Sequence, residues 1–124
     1  MKTILIVEDE QAIAEMLAAI LEETDYQVVT AGNGQEALTK LETTSPDLIL
    51  SDIMMPIMDG RTLCKKLQAD PAYRSIPVVL MSAAYDSVSR NDGAPTAFLM
   101  KPFGLQELLT TVGDIIGEGE EVQG

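Results

Sequence analysis

Residues 48–60 read Leu48-Ile49-Leu50-Ser51-Asp52-Ile53-Met54-Met55-Pro56-Ile57-Met58-Asp59-Gly60. The aliphatic run from Leu48 to Leu50 has the pattern of a strand buried on both faces. It delivers one carboxylate, Asp52, at its carboxyl end, and Met55-Pro56 and Asp59-Gly60 give the following loop turn chemistry at both ends. In an open parallel sheet, ligands bind at the carboxyl ends of the strands. Asp52 alone could cap a turn, but at the head of such a loop it is placed for chemistry rather than for packing.

Strand and helix patterns alternate on either side of this stretch. Upstream, Lys2 to Val7 is a β-branched strand that runs into Glu8-Asp9-Glu10. Gln11 to Glu23 repeats apolar residues at helical spacing, with Ile13, Leu17 and Ile20 on one row and Ala14, Ala18 and Leu21 on the next. Glu22-Glu23 oppose the dipole of that helix, so its last turn is expected to fray or to be offset by neighbours. Gln27 to Thr30 is a second strand, Gly32-Asn33-Gly34 a turn, and Gln35 to Glu42 a helix. Downstream come a helix from Gly60 to Gln68, a strand from Ile76 to Met81 delivering Ser82, and a strand from Thr96 to Met100 ending at Lys101-Pro102-Phe103. A last helix runs from about Leu105 to Ile116. Tyr85 to Pro95 is polar and predicts only a short, weak helix. Residues 1–117 read as one domain, with 118–124 as a mobile tail.

Five strands alternating with helices imply an α/β doubly wound five-stranded parallel sheet with right-handed crossovers. The natural order is 2-1-3-4-5, a flavodoxin-like three-layer sandwich whose switch point lies between strands one and three. That order sets Glu8-Asp9 beside Asp52.

Composition narrows the chemistry. With 20 acids, 8 bases and no His, the net charge of −12 disfavours direct nucleic-acid binding. One Cys and no His make zinc a poor fit and leave a hard, oxygen-bound ion such as Mg²⁺ as the expected metal. The single Cys64 suits a reducing cytoplasm, and no apolar stretch approaches the ~20 residues that span a bilayer. Three carboxylates in one crevice repel one another unless a cation joins them. An ion held by Asp9 and Asp52, with Glu8 acting through water, would allow Asp52 to act as a nucleophile on phosphorus. Lys101 would supply an ammonium and Ser82 a hydroxyl.

The ordered set Glu8-Asp9, Asp52-x-x-Met55-Pro56-x-x-Asp59-Gly60, Ser82-Ala83 and Phe98-x-x-Lys101-Pro102-Phe103 resembles the receiver domain of two-component response regulators, over roughly Lys2 to Ile116. Chemotaxis members of that family are a known instance of the 2-1-3-4-5 order, so strand order and resemblance are not independent. The resemblance implies that Asp52 is a phosphoacceptor for a phosphohistidine on a sensor histidine kinase or phosphotransfer protein. It implies Mg²⁺ held by Asp9 and Asp52 directly, by Glu8 through water and by the Met54 backbone carbonyl. It further implies that Lys101 holds a phosphoryl oxygen, next to a cis Lys101-Pro102 peptide. Ser82 would swing toward the phosphate while Phe98 turns inward as an aromatic switch. The chain would thus be a phosphorylation-dependent switch that catalyses its own phosphorylation and slow dephosphorylation. Its output would pass to an unknown protein target, with no membrane insertion, and it would be stand-alone or cut from a longer chain. The segment from Ser82 to Lys101 is a few residues shorter than the family usually shows.

Two other classes compete with this reading. A phosphohydrolase resembling haloacid dehalogenases would carry Asp-x-Asp after strand one, whereas Met54 stands two residues past Asp52 and no cap domain is present. A degenerate receiver serving only as a binding module would lack an acid or the Lys. Met54, Met55 and Met58 are most simply loop and core packing. The first helix has more apolar residues than one face needs. Either it is crowded between neighbours, or Ala12, Ile13 and Met16 dock a kinase helix.

Overall fold

The computed structural model describes residues 1–83 and 95–117. The expected segment from Tyr85 to Pro95 lies outside them but for Pro95, as does the tail 118–124. The chain runs β1 (Thr3–Val7), α1 (Gln11–Glu23), β2 (Gln27–Ala31), α2 (Gly34–Leu41), β3 (Leu48–Asp52), α3 (Gly60–Ala69), β4 (Val78–Ser82), β5 (Ala97–Met100) and α4 (Leu105–Ile116). All strand pairs are parallel, in the order β2-β1-β3-β4-β5. β4 begins two residues later than expected, at Val78. Pro77 has no N–H to give and contributes only its carbonyl, which accepts from Ile49 at 2.9 Å.

The period-two alternation of the strands sorts their side chains into two cores. Ile4, Ile6, Leu48, Leu50, Val79 and Met81 face one side, where they meet Leu17 and Leu21 of α1 and Leu108 and Val112 of α4. Leu5, Val7, Ile49, Val78 and Leu80 face the other, against Ala37 and Leu41 of α2 and Leu63, Cys64 and Leu67 of α3. The result is the three-layer α/β sandwich expected of these residues. Among the described residues no helix is long and apolar enough to cross a membrane.

The α1 terminus resolves the Glu22-Glu23 conflict by capping. Asp25 adopts a left-handed conformation (φ 70°). Its N–H donates to the Glu22 carbonyl at 3.1 Å, and that of Tyr26 to the Leu21 carbonyl at 3.2 Å. This is the paired bonding of a Schellman motif, with Tyr26 and Leu21 in the same core. At the other end of the chain, the Tyr26 hydroxyl donates to the Gly117 carbonyl at 2.7 Å.

The loop after Asp52 is held at two points. The Gly60 N–H donates to the Ile53 carbonyl at 2.8 Å, and a Cβ on Gly60 would sit on the Asp52 carbonyl oxygen. The Met58 carbonyl accepts from the Gly34 N–H at 3.0 Å, and a Cβ on Gly34 would lie 2.7 Å from Met58 Cγ. Between the two, the Met58 N–H donates to the Pro56 carbonyl at 2.7 Å across Ile57, whose φ is 69°. That is a γ-turn of the rarer, strained hand. A β-branched residue there costs about 1–3 kcal/mol and persists only because the flanking contacts impose it.

Gly60→Ala is expected to destabilise the fold by about 1–3 kcal/mol, since backbone rather than a flexible side chain must yield. Urea unfolding midpoints test this; an unchanged midpoint would show that the loop moves freely.

Candidate functional site

β1 and β3 are neighbours whose register pairs Val7 with Ser51, so Glu8 and Asp52 leave the sheet side by side. This is the switch point, because β1 connects outward to β2 while β3 continues toward β4. Glu8, Asp9 and Asp52 each offer a carboxylate oxygen, all within 4.8 Å of one another. Lys101 arrives from β5: its backbone N–H donates to the Ser82 carbonyl at 2.7 Å, and the Lys101-Pro102 peptide is cis. Its Nζ donates to Asp52 Oδ1 at 3.0 Å and lies 3.9 Å from Glu8 Oε1.

The three acids differ in setting. Asp9 is exposed. The Asp52 side chain is 13% exposed, and Oδ1 accepts both Lys101 and the Ile53 N–H at 3.1 Å. Among the described residues, Oδ2 is left to an incoming group. Glu8 is buried; Oε2 accepts from the Glu10 N–H at 3.2 Å, while Oε1 is buried without a hydrogen-bond partner. Burial first, then the Asp52 and Asp9 charges, push its pKa up from 4.5 to about 7, against the Glu10 N–H and Lys101. For Lys101, burial pulls the pKa down, but the Asp52 hydrogen bond and charge, with the Glu8 and Glu10 charges, outweigh it and raise it above 10.5.

Ser82 is buried at the end of β4, one residue past Met81, the register partner of Asp52. Its hydroxyl faces the Met100 sulfur at 4.0 Å. Phe98 lies on the edge strand, 39% exposed, opposite Leu80. The Met54 side chain is 61% exposed. Acids, Lys101 and Ser82 therefore gather at one edge, while Phe98 stands outward on β5.

On α1, Ala14, Leu17 and Leu21 are buried, Ala12 and Met16 are exposed and Ile13 is intermediate. The helix is thus not crowded on every side. Ile13, Met16 and Leu17 line an apolar groove of about 580 Å³ with Met81, Ala83, Lys101, Pro102 and Phe103. Phe103 completes the groove, and its place directly after Lys101-Pro102 is the one sign of this in the sequence. Pro-Ile-Met reads as ordinary apolar loop and gives no sign of the strain at Ile57.

Comparison with known proteins bears on this geometry. The family model described as the response regulator receiver domain matches residues 4–113. The alkaline phosphatase synthesis transcriptional regulatory protein PhoP of Bacillus subtilis is 36% identical over 122 residues, covering 96% of this chain and 50% of that protein. The chain spans about half the length of the curated relatives it matches. Among solved structures, the signal receiver domain of a histidine kinase from Syntrophus aciditrophicus superposes with a TM-score of 0.86 at 40% identity, covering 94% of this chain and 90% of that one. The response regulator TrrA of Thermotoga maritima, in complex with Mg(2+)-BeF, gives 0.83 at 32% identity, covering 93% and 99%.

Because Glu8 is raised from 4.5 to about 7, the folded protein binds more protons than the unfolded chain across that window. Without divalent cations, stability should therefore fall as pH rises from 4.5 to 7, with the Glu8 contribution reaching at most about 3 kcal/mol. Urea melts in chelator at pH 5 and pH 7.5 should show a loss that Glu8→Gln abolishes; an equal loss in that variant would assign it to other groups.

Proposed function

As a member of the response regulator receiver domain family, the phosphorylation-switch module of two-component signalling, this chain has one best candidate for the acceptor, and we propose that Asp52 takes a phosphoryl group from a phosphohistidine of a sensor histidine kinase or phosphotransfer protein. The observation that carries this reading is the Lys101 ammonium 3.0 Å from Asp52, with the Glu8 and Asp9 carboxylates beside it. An Asp52 carboxylate oxygen forms the new O–P bond as the P–N bond to the donor imidazole breaks, and the electron pair leaves with the imidazole. Lys101 is set to take one phosphoryl oxygen as that charge spreads. Water attack on phosphorus later returns Asp52 and phosphate, so the chain catalyses only its own turnover.

The donor set fits Mg²⁺. It is all oxygen, it gathers at least two negative charges, and it includes a buried Glu8 Oε1 without a hydrogen-bond partner. Asp9 and Asp52 would hold the ion directly, Glu8 through water and Met54 through its backbone carbonyl. When bound it supplies positive charge to the phosphoryl oxygens. The Mg(2+)-BeF complex of TrrA supports the assignment by likeness.

The switch follows from two side chains in the receptive position. Ser82 exchanges its weak contact with the Met100 sulfur for a phosphoryl oxygen. Phe98, outward on the edge strand, turns into the space this opens. Ala12, Ile13 and Met16 dock the kinase along the α1 groove. Output passes to a protein target, without nucleic-acid contact by this domain or membrane insertion, in the cytoplasm.

Incubation with acetyl phosphate and Mg²⁺ should give a single-phosphoryl adduct by intact mass. Asp52→Asn should lose it and Asp59→Asn keep it, while Asp9→Ala should weaken Mg²⁺ binding by about tenfold or more. Labelling that persists in Asp52→Asn would move the acceptor elsewhere, and steady hydrolysis of unrelated phosphate esters would favour a phosphohydrolase.

A further inference from the structure

Ile57 is held in a strained conformation with no burial among the described residues to offset it. Its φ is 69°, its neighbours close a γ-turn across it, and its side chain is 83% exposed. Where the chain needs a similar conformation at φ 70°, it uses Asp25, whose short polar side chain tolerates the left-handed region. Gly, Asn or Asp would relax the turn at Ile57, and no burial there favours a branched aliphatic side chain. The side chain therefore acts on something outside the chain. What that is follows from position: Ile57 stands five residues past Asp52, in the loop that leaves the carboxyl end of β3 and is pinned at Gly34 and at Gly60, so it is an exposed apolar projection of the loop that begins at the phosphoacceptor. Met54, 61% exposed, adds a second apolar side chain to the same loop. A protein that delivers a phosphoryl group to Asp52 comes to the same carboxyl end of β3 from which this loop projects. A small phosphodonor gains little from a projecting isoleucine, whereas a protein donor with an apolar hollow beside its phosphohistidine gains both contact and register.

We infer that Ile57 is a specificity-determining contact for the protein phosphodonor, kept at the expense of backbone strain. This rests on Asp52 being the phosphoacceptor. The test uses Ile57→Asn and Ile57→Gly, which relax the turn and remove the apolar projection, and Ile57→Leu, which keeps an apolar one. Donors are acetyl phosphate and, separately, the autophosphorylated cytoplasmic portions of the histidine kinases encoded in the source genome, followed with the fastest. Expected results are a thermal midpoint a few degrees higher for the Gly variant and acetyl phosphate labelling within about twofold of wild type for all three. Transfer from the kinase should slow by about tenfold or more in Asn and Gly and be largely kept in Leu. Unchanged kinase transfer in Asn and Gly would overturn the inference. So would a lower midpoint in Gly, an equal slowing with acetyl phosphate, or a wild type that acetyl phosphate labels but no kinase does. If neither donor labels Asp52 in the wild type, the underlying acceptor assignment fails instead.

Discussion

Three carboxylates at the carboxyl ends of adjacent strands would push one another apart if nothing positive stood among them. Among the described residues Lys101, 3.0 Å from Asp52 and 3.9 Å from Glu8, is the positive group that meets them. The interaction is unequal. Lys101 takes up Asp52 Oδ1, yet Glu8 Oε1 stays without a hydrogen bond and the Glu8 pKa stays near 7. The site is thus neutralised only in part, and it retains a demand for a further cation that a fully paired cluster would not have.

The rest of the fold makes this incomplete arrangement tolerable. β1 and β3 are buried on both faces, with Ile4, Ile6, Leu48 and Leu50 in one core and Leu5, Val7 and Ile49 in the other. Strands so enclosed cannot shift register without moving apolar side chains into the wrong layer. The acids at their ends therefore cannot relax apart. Stability gathered in the two cores holds charges together at the edge, where the chemistry needs them.

The sequence made much of this legible, for identifiable reasons. Short aliphatic runs ending at Asp52, Ser82 and Lys101 place those residues at strand ends whichever helix follows, and alternation of β and α patterns implies a parallel sheet, whose 2-1-3-4-5 order is also the one the family resemblance implies. The glycines of the loop were visible as turn residues. Their actual work was not, because it is a close approach between distant segments: Gly60 onto Asp52 and Gly34 onto Met58. Ile57 was invisible for the opposite reason, since propensity argues against a β-branched residue at positive φ and only the surrounding contacts impose it. The groove beside α1 needed Phe103, which a reading centred on the Lys101 charge had no cause to single out. The helix-ending motif at Asp25 was hidden likewise, as Thr-Asp-Tyr carries no glycine to mark it.

The hydroxyl of Tyr26 binds the carbonyl of Gly117 across 91 positions of sequence. Tyr26 stands just before β2, at the amino edge of the sheet, whereas Asp52 and Lys101 stand at the carboxyl edge. α4 is therefore fastened at its far foot and begins only a few residues after Lys101. Leu108 and Val112 hold the body of α4 in the core, and the tyrosine oxygen adds a polar anchor at its foot, so the last helix is tethered to the edge of the sheet opposite the acids.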